Sequence, residues 1–102
     1  MSNTSDTGSD SAESAEEPLP DEAGHFVYIV ECADGTYYTG YTTDVDRRVS
    51  EHNAGTGARY TRGRTPVTLI YTETYATKSE AMSREYAIKQ LRRRQKERLV
   101  MS

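Results

Sequence analysis

The stretch HFVYIVECADGTYYTGYT, residues 25–42, decides the fold. Its first part, 25–32, is rich in β-branched and aromatic side chains, which favours a β-strand. Asp34-Gly35 is a strong signal for a hairpin turn, and the chain then returns as a second strand over 37–42. Gly40 lies inside that second strand. A glycine there marks a bulge or a close approach by backbone or ligand, and for Gly40 alone the bulge is the favoured interpretation.

The segment after the hairpin combines a helix pattern with a strand pattern. Asp44 is placed to cap a helix over 45–53. A loop over 55–64 with three glycines and three arginines follows, and VTLIYTETY, residues 67–75, is typical of a third strand. The domain is therefore expected to mix helices with strands.

The C-terminal part of the chain predicts two further helices. Residues 77–80, TKSE, match a capping box that starts a helix near Lys78. A short basic helix is expected over 94–100. The first of these helices should bury an apolar stripe with five members: Ala81, Met82, Tyr86, Ile88 and Leu91.

The helix over 45–53 carries two polar side chains on its apolar face. Arg48 and His52 share the spacing of Val45 and Val49, so all four point the same way. Burying a charge without a partner is costly, which makes this placement informative. The alternative is an arginine that snorkels from the edge of the face and a histidine that caps the last turn.

Glu85 lies at the border of the later apolar stripe, three residues from both Met82 and Ile88. A carboxylate that faces the sheet needs a cation, a metal or strong hydrogen-bond donors nearby. The alternative is an exposed salt bridge to Lys89, four residues further along the helix.

Charge divides the chain of 102 residues into two parts. Residues 1–24 contain seven acidic and no basic side chains, and we expect a disordered acidic tail there. Residues 25–102 carry a net charge of +4 and form the single folded domain. The single cysteine, Cys32, excludes an internal disulfide. The absence of an apolar leader or span favours a cytoplasmic location and no membrane contact.

Arginines outnumber lysines ten to three and are clustered along the folded part. Clustered arginines are the electrostatic footprint of a protein that contacts phosphates. A solvated helix face is the alternative for the run over 92–98. The candidate nucleic-acid-binding residues are Arg47, Arg59, Arg62, Arg64, Arg92, Arg93 and Arg94.

The predicted elements bring together side chains suited to cutting a phosphodiester. A carboxylate can hold a divalent cation, an arginine can stabilise the transition-state charge, and a tyrosine hydroxyl can position or deprotonate water. A tyrosine with its ordinary pKa of ~10 is a poor base at neutral pH, so a cation or Arg48 would have to lower that pKa. The candidates are Tyr28, Tyr38, Gly40, Arg48, His52 and Glu85.

Over about residues 25–100 the sequence resembles the GIY-YIG nuclease superfamily. Phe26-Val27-Tyr28 stands at the first motif triplet, and Tyr38-Thr39-Gly40, which begins ten residues after Tyr28, stands at the second. Arg48 and His52 follow Gly40 by eight and twelve residues, in the register of the family's helix residues. The phrases YTGYTTDVDRR, EHNAGTGARYTRGR and REYAIKQL look like the small single-domain UPF0213 group.

The resemblance implies an α+β fold, with a three-stranded antiparallel sheet flanked by helices, and hydrolysis with one metal ion. Tyr28 and Tyr38 would flank the attacking water, with Tyr28 as the general base. Arg48 would contact the scissile phosphate and His52 would assist through a hydrogen bond or a proton. Glu85 would ligate Mg²⁺ or Mn²⁺.

Two functions remain open at this stage. The first is a metal-dependent endonuclease acting on DNA, or RNA, with a preference for DNA structure and a role in DNA repair or processing. The second is a catalytically weak nucleic-acid-binding module that acts with a protein partner. In either case a monomer or a weak dimer is expected.

Overall fold

The computed structural model describes residues 24–102, so the expected acidic tail, 1–24, lies outside the described residues except for Gly24. Three strands form one antiparallel sheet in the order β2-β1-β3. They are β1 His25–Glu31, β2 Tyr37–Thr42 and β3 Thr68–Tyr75. The helices are α1 Val45–Asn53, α2 Lys78–Lys89 and α3 Arg93–Met101, and a short 3₁₀ turn spans Arg59–Thr61. The predicted α+β fold is confirmed.

Side-chain caps start the first two helices where the sequence predicts. The Asp44 carboxylate accepts a hydrogen bond from the Arg47 amide at 3.1 Å. The Thr77 hydroxyl likewise accepts from the Glu80 amide at 3.1 Å. Each bond satisfies an amide that the helix itself leaves without a partner, so the start of each helix is encoded locally.

The central strand β1 buries side chains on both faces of the sheet. Val27 and Ile29 pack with Ala81 and Ile88 of α2 on one face. The other face carries Tyr28, which clusters with three buried residues and two partly buried ones. Those residues are Val30, Cys32, Val67, Tyr38 and Val49. A tyrosine therefore occupies a core position on the α1 side of the sheet.

The apolar stripe of α2 is narrower than the sequence predicts. Ala81 and Ile88 are fully buried, but Met82 is 42% exposed and Tyr86 is 68% exposed. The prediction that Met82 and Tyr86 widen the stripe is wrong, because both side chains remain exposed to solvent while Ala81 and Ile88 face the sheet. None of the described helices is long and apolar enough to cross a membrane.

A carboxylate-centred network fastens α2 to the outer strand β3. Arg84 donates from Nε and Nη2 to the two oxygens of Glu73, at 2.8 and 3.0 Å. The hydroxyls of Tyr71 and Tyr75 donate to the same carboxylate at 2.5 and 2.6 Å. Such a two-pronged pair fixes direction as well as distance. Because Glu85 follows Arg84 along α2, the network also helps to set the position of Glu85.

Candidate active site

Tyr28 is the centre of the candidate site and is 1% exposed. Its partner across the β1–β2 ladder is Gly40, in a register that runs without interruption from Phe26 to Glu31. A Cβ added to Gly40 would overlap the Tyr28 hydroxyl and would lie 2.6 Å from Cζ. The bulge interpretation of Gly40 is wrong, since the glycine makes room for the tyrosine ring.

His52, in the last turn of α1, is fully buried and points at Tyr28. The His52 Nε2 atom lies 2.7 Å from the Tyr28 hydroxyl oxygen. The two rings are tilted, with centroids 5.8 Å apart. The interpretation of His52 as a helix cap is therefore wrong, and His52 does point inward with the apolar face of α1, as its spacing predicts.

The other ring nitrogen of His52 is surrounded by the segment that follows α1. Thr61 Oγ lies 2.8 Å from Nδ1, and the Ala58 amide donates to Nδ1 at 3.3 Å. A Cβ at Gly57 would lie 2.8 Å from the His52 Cα, so this segment packs directly on the histidine. Sequence reasoning missed Gly57, Ala58 and Thr61 as site residues, because nothing local indicates that the loop returns to α1.

Tyr38 completes an aromatic wall beside the Tyr28–His52 pair. Its ring lies edge-on to His52 with centroids 5.4 Å apart, and 6.3 Å from the Tyr28 ring. Tyr60 stacks against Tyr38 at 5.8 Å and is 41% exposed. The guanidinium of Arg64 lies 4.4 Å from the centre of the Tyr60 ring. The wall thus runs from the buried Tyr28 to a basic surface.

Arg48 lies at the edge of the site with its side chain 30% exposed. Its Nη1 atom donates to the Glu51 carboxylate at 2.9 Å, so one edge of the guanidinium is bound to a neighbour on α1. Its positive charge also reaches the buried pair, because it lowers the pKa of both Tyr28 and His52. Arg48 is close enough to the pair to stabilise negative charge that develops beside Tyr28.

Burial keeps the Tyr28–His52 pair uncharged at neutral pH. Burial raises the pKa of Tyr28 well above its ordinary value of 10, which outweighs the lowering by Arg48. Burial, followed by the charge of Arg48, lowers the pKa of His52 to about 4. Arg48 alone therefore does not make Tyr28 a base at neutral pH, and a further positive charge is needed.

The Glu85 side chain is more buried than expected for a residue in an exposed salt bridge. The expected pair with Lys89 is present at 3.2 Å, yet the Glu85 side chain is only 14% exposed. Its negative charge raises the pKa of Tyr28, which places the two groups within electrostatic reach. The salt bridge of the alternative is present, but on a carboxylate that is largely shielded from solvent, and metal binding by Glu85 stays a prediction.

The donor set suits a metal ion that is bound mainly by water and substrate. Among residues 24–102 no group of three histidine, cysteine or acidic side chains could enclose an ion. Mg²⁺ is commonly held by one or two carboxylates together with waters and phosphate oxygens. The nearly buried Glu85 carboxylate fits this single-carboxylate mode, with Lys89 as the cation that an ion would displace.

Two of the predicted arginine groups meet at the β1–β2 turn. Arg64 pairs with Asp34 at 2.6 Å, and the Ala33 amide donates to the Arg64 carbonyl at 2.7 Å. Arg93, at the start of α3, donates to the carbonyl of Gly35 at 2.7 Å. The loop after α1 and the start of α3 therefore both contact the turn. We call the surface around Arg64 and Arg93 the basic surface.

The predicted nucleic-acid-binding arginines differ in how their side chains are held. Arg64 and Arg93 are tied to the turn, and Arg93 also pairs with Glu97 at 2.9 Å. Arg47 lies on α1 and pairs with Glu51 at 3.8 Å. Within the part of the chain described, five exposed arginines form no ion pair with an acidic residue, and four of them are predicted binding residues: Arg59, Arg62, Arg92 and Arg94.

Comparison with known proteins gives matches over most of the described chain. Residues 24–98 match the GIY-YIG catalytic domain. A UPF0213 protein of Halobacterium salinarum is 75% identical over 75 residues, which cover 74% of this chain and 97% of that protein. A UPF0213 protein of Staphylococcus aureus strain Mu3 is 59% identical over 76 residues, covering 74% of this chain and 93% of that protein.

Two solved structures are similar in sequence and in fold. The solution structure of a UPF0213 protein from Bacillus halodurans is 58% identical, with a TM-score of 0.51, and the match covers 76% of this chain and 83% of that chain. The solution structure of protein EF2693 from E. faecalis is 45% identical, with a TM-score of 0.55, over 85% of this chain and 88% of that chain.

Proposed function

The chain belongs to the GIY-YIG family, in its small UPF0213 group, and on that premise we propose that it is a divalent-metal-dependent endonuclease that hydrolyses DNA phosphodiester bonds. One observation carries the proposal: a buried tyrosine–histidine pair, Tyr28 and His52 at 2.7 Å, lies beside Arg48 and within electrostatic reach of Glu85. A buried polar pair next to opposite charges is typical of a catalytic site, because packing alone gains nothing from it.

In this proposal each side chain of the site has a separate task. Arg48 binds the scissile phosphate with the part of its guanidinium that Glu51 leaves free, and so neutralises the charge that grows as water attacks phosphorus. As a phenolate, the form that a bound metal ion would favour, the Tyr28 oxygen would orient the water and accept its proton while the water oxygen bonds to phosphorus and the bond to the leaving group breaks. Tyr38 closes one side of the site against bulk water.

Glu85 would hold Mg²⁺ or Mn²⁺. When bound, the ion supplies positive charge that polarises the phosphate and lowers the pKa of a neighbouring hydroxyl. Tyr28 needs such a nearby positive charge to lose its proton at neutral pH, because burial raises its pKa and Arg48 offsets only part of that rise.

The basic surface at the β1–β2 turn supports a nucleic acid as the substrate. Its exposed arginines lie at the end of the aromatic wall, so a phosphate backbone bound there would pass Tyr60 and Tyr38. A single small domain offers little surface for reading a long sequence, which favours recognition of DNA structure. A role in DNA repair or processing follows from such a preference.

The second candidate, a catalytically weak binding module that acts with a protein partner, has one observation in its favour. Glu85 is already paired with Lys89, so the carboxylate has a structural use without a metal. In that case removal of the Glu85 charge would leave DNA affinity unchanged or improved, and no ion would bind.

Cleavage of a panel of labelled linear, nicked, forked and single-stranded DNAs with Mg²⁺ or Mn²⁺ distinguishes the two candidates. Wild type is compared with Glu85→Gln, which keeps the size of the side chain, and with Glu80→Gln, a matched change at an exposed position of the same helix. The endonuclease requires metal-dependent cutting by wild type and Glu80→Gln but not by Glu85→Gln. Binding without cutting by all three proteins favours the binding module.

A further inference from the structure

The loop after α1 makes a closed set of contacts with one atom of His52, the ring nitrogen that faces away from Tyr28. Thr61 Oγ lies 2.8 Å from Nδ1, and the Ala58 amide donates to it at 3.3 Å. Thr61 is itself fully buried, and its hydroxyl is also in a position to donate to the Ala58 carbonyl at 2.9 Å.

These contacts determine which ring nitrogen carries the proton. A backbone amide can only donate a hydrogen bond, so Nδ1 must be the acceptor. The Thr61 hydroxyl has a single proton and lies within reach of two acceptors, Nδ1 and the Ala58 carbonyl. Because that carbonyl already accepts from the Thr61 amide at 3.1 Å, the hydroxyl can rotate to donate to Nδ1. A neutral imidazole carries one proton, and burial keeps His52 neutral with a pKa of about 4. The proton is therefore on Nε2, the atom 2.7 Å from the Tyr28 oxygen.

We propose that Thr61 and the backbone of Ala58 are positioning groups that hold His52 in the tautomer with its proton on Nε2, so that His52 donates a hydrogen bond to Tyr28. The catalytic consequence rests on the proposed endonuclease function. With His52 as donor, the Tyr28 oxygen accepts a hydrogen bond. The Tyr28 proton then points away from His52 and can leave to solvent. A phenolate at Tyr28 keeps the bond from His52, whereas the opposite tautomer would turn a nitrogen lone pair towards it.

The loop is anchored well enough to hold the ring in this position. A Cβ at Gly57 would meet His52 Nδ1 and the His52 backbone, so the loop lies against the histidine without a gap. Arg64, three residues after Thr61, joins the loop to the β1–β2 turn through Asp34 and the Ala33 amide. His52 is thus held by α1, and the loop that contacts it is held by the β1–β2 turn.

The tautomer can be measured without DNA, metal or activity. Long-range proton–nitrogen NMR of the uniformly ¹⁵N-labelled full chain at neutral pH separates a protonated from an unprotonated ring nitrogen. We expect His52 to show a protonated Nε2 and an unprotonated Nδ1, and the second histidine, His25, provides an internal comparison. A His52 with its proton on Nδ1, or with an averaged signal from both tautomers, would overturn the proposal.

The positioning role of Thr61 is tested by two variants. Thr61→Val keeps the shape but removes the hydroxyl, whereas Thr61→Ser keeps the hydroxyl and removes only the methyl group. Cleavage under saturating DNA should fall at least about tenfold in Thr61→Val with KM unchanged, and should return to within about twofold of wild type in Thr61→Ser. Thr56→Val, at an exposed position of the same loop, is the matched control.

The outcomes separate this proposal from the proposed function. Wild-type turnover in Thr61→Val, or an equal loss in Thr61→Ser, would show that the hydroxyl does not position His52. If the wild-type protein cuts no DNA, the endonuclease function fails, and the NMR measurement still decides the tautomer. If Thr61→Val does not fold, Thr61→Ser and the wild-type spectrum remain decisive.

Discussion

At the scale of single residues, the site combines groups whose charge is suppressed with groups whose charge is permanent. Tyr28 and His52 are neutral because burial raises the pKa of the first and lowers the pKa of the second to about 4. Arg48 remains charged beside them, held by Glu51 at 2.9 Å. In the proposed reaction, the phosphate therefore meets one fixed positive charge next to a hydroxyl that has to lose a proton.

Arg48→Lys is expected to lower turnover at least about tenfold, because lysine keeps the charge but loses the planar fork that grips a phosphate. Arg47→Lys, at the neighbouring and more exposed position of α1, should change turnover less than about twofold. Single-turnover cleavage at saturating protein measures both variants. Equal rates for Arg48→Lys and wild type would reduce Arg48 to a general electrostatic role.

Gly40→Ala is expected to destabilise the protein by about 1–3 kcal/mol, the usual cost of forcing an extra methyl group into a packed site. The new Cβ would overlap the Tyr28 ring, so Tyr28 has to move away from His52 and turnover should fall as well. Urea unfolding followed by circular dichroism gives the free energy. A variant as stable as wild type would mean that the ring yields without cost.

At the scale of elements, the position of α2 depends on its link to β3. The Glu73 carboxylate accepts from Arg84, Tyr71 and Tyr75, and its pKa is lowered to about 2, chiefly by the hydrogen bonds from Arg84. A carboxyl whose pKa is lower in the folded state stabilises the protein above its unfolded pKa, which is near 4.5. That stability is lost as the pH falls from about 4.5 towards 2.

Glu73→Gln should lose about 2 kcal/mol of stability at neutral pH, a figure reduced for solvent screening around Arg84, whose side chain is 36% exposed. Its unfolding free energy should also vary less with pH below about 4.5 than that of wild type. Urea titrations from neutral to acid pH measure both effects, with Glu97→Gln in the exposed pair with Arg93 as the control. Parallel pH curves for Glu73→Gln and wild type would contradict the assignment.

The elements were predictable where their signals are local. Asp44 and Thr77 start α1 and α2 through bonds that reach only three residues along the chain, so the sequence alone places both helix starts. The inward direction of His52 followed from the helix face that it shares with Val45 and Val49, but its contact with Tyr28 did not. The exposure of Met82 and Tyr86 could not be predicted. Periodicity shows which side of a helix is apolar, but not how much of that side the sheet covers.

The rest of the site depends on contacts between distant parts of the chain. Thr61 reaches His52 only because the loop folds back, and Gly40 yields to a ring from the neighbouring strand. Nothing in the local sequence distinguishes Glu73, yet it accepts four hydrogen bonds from three side chains. Such partners are fixed by tertiary packing, which spacing within one segment cannot reveal.

At the scale of the whole molecule, charge is arranged around the β1–β2 turn. The loop after α1 and the start of α3 both bond to this turn, through Arg64 and Arg93. Further exposed arginines lie close in sequence to these two contacts, Arg59 and Arg62 before Arg64 and Arg92 and Arg94 on either side of Arg93. Residues 1–24 carry seven negative charges and no positive ones, so they oppose the potential of this surface.

Replacing Arg92 and Arg94 by alanine should reduce the slope of DNA affinity against salt concentration by about one unit for each phosphate that is no longer neutralised. Cleavage at saturating DNA should change less than affinity does. Lys78→Ala is the control, because Lys78 lies beside Tyr41 at the other end of β2. A large decrease in turnover with an unchanged salt slope would place these arginines inside the site.

Removing residues 1–23 should strengthen DNA binding at low salt, because seven negative charges leave the protein. The gain should shrink as salt is added, since salt screens the repulsion. Fluorescence anisotropy with a labelled oligonucleotide measures both. Weaker binding by the shortened protein would show that the acidic segment contributes to the interface.

Tyr28→Phe provides the most direct test of catalysis at the Tyr28–His52 pair, since it removes one oxygen atom. Its matched control is Tyr86→Phe on the exposed side of α2. We expect Tyr28→Phe to bind DNA within about twofold of wild type but to cut it at least about a hundredfold more slowly in single-turnover assays with Mg²⁺, while Tyr86→Phe cuts normally. Undiminished cleavage by Tyr28→Phe would contradict the assignment of Tyr28 as the group that accepts the proton.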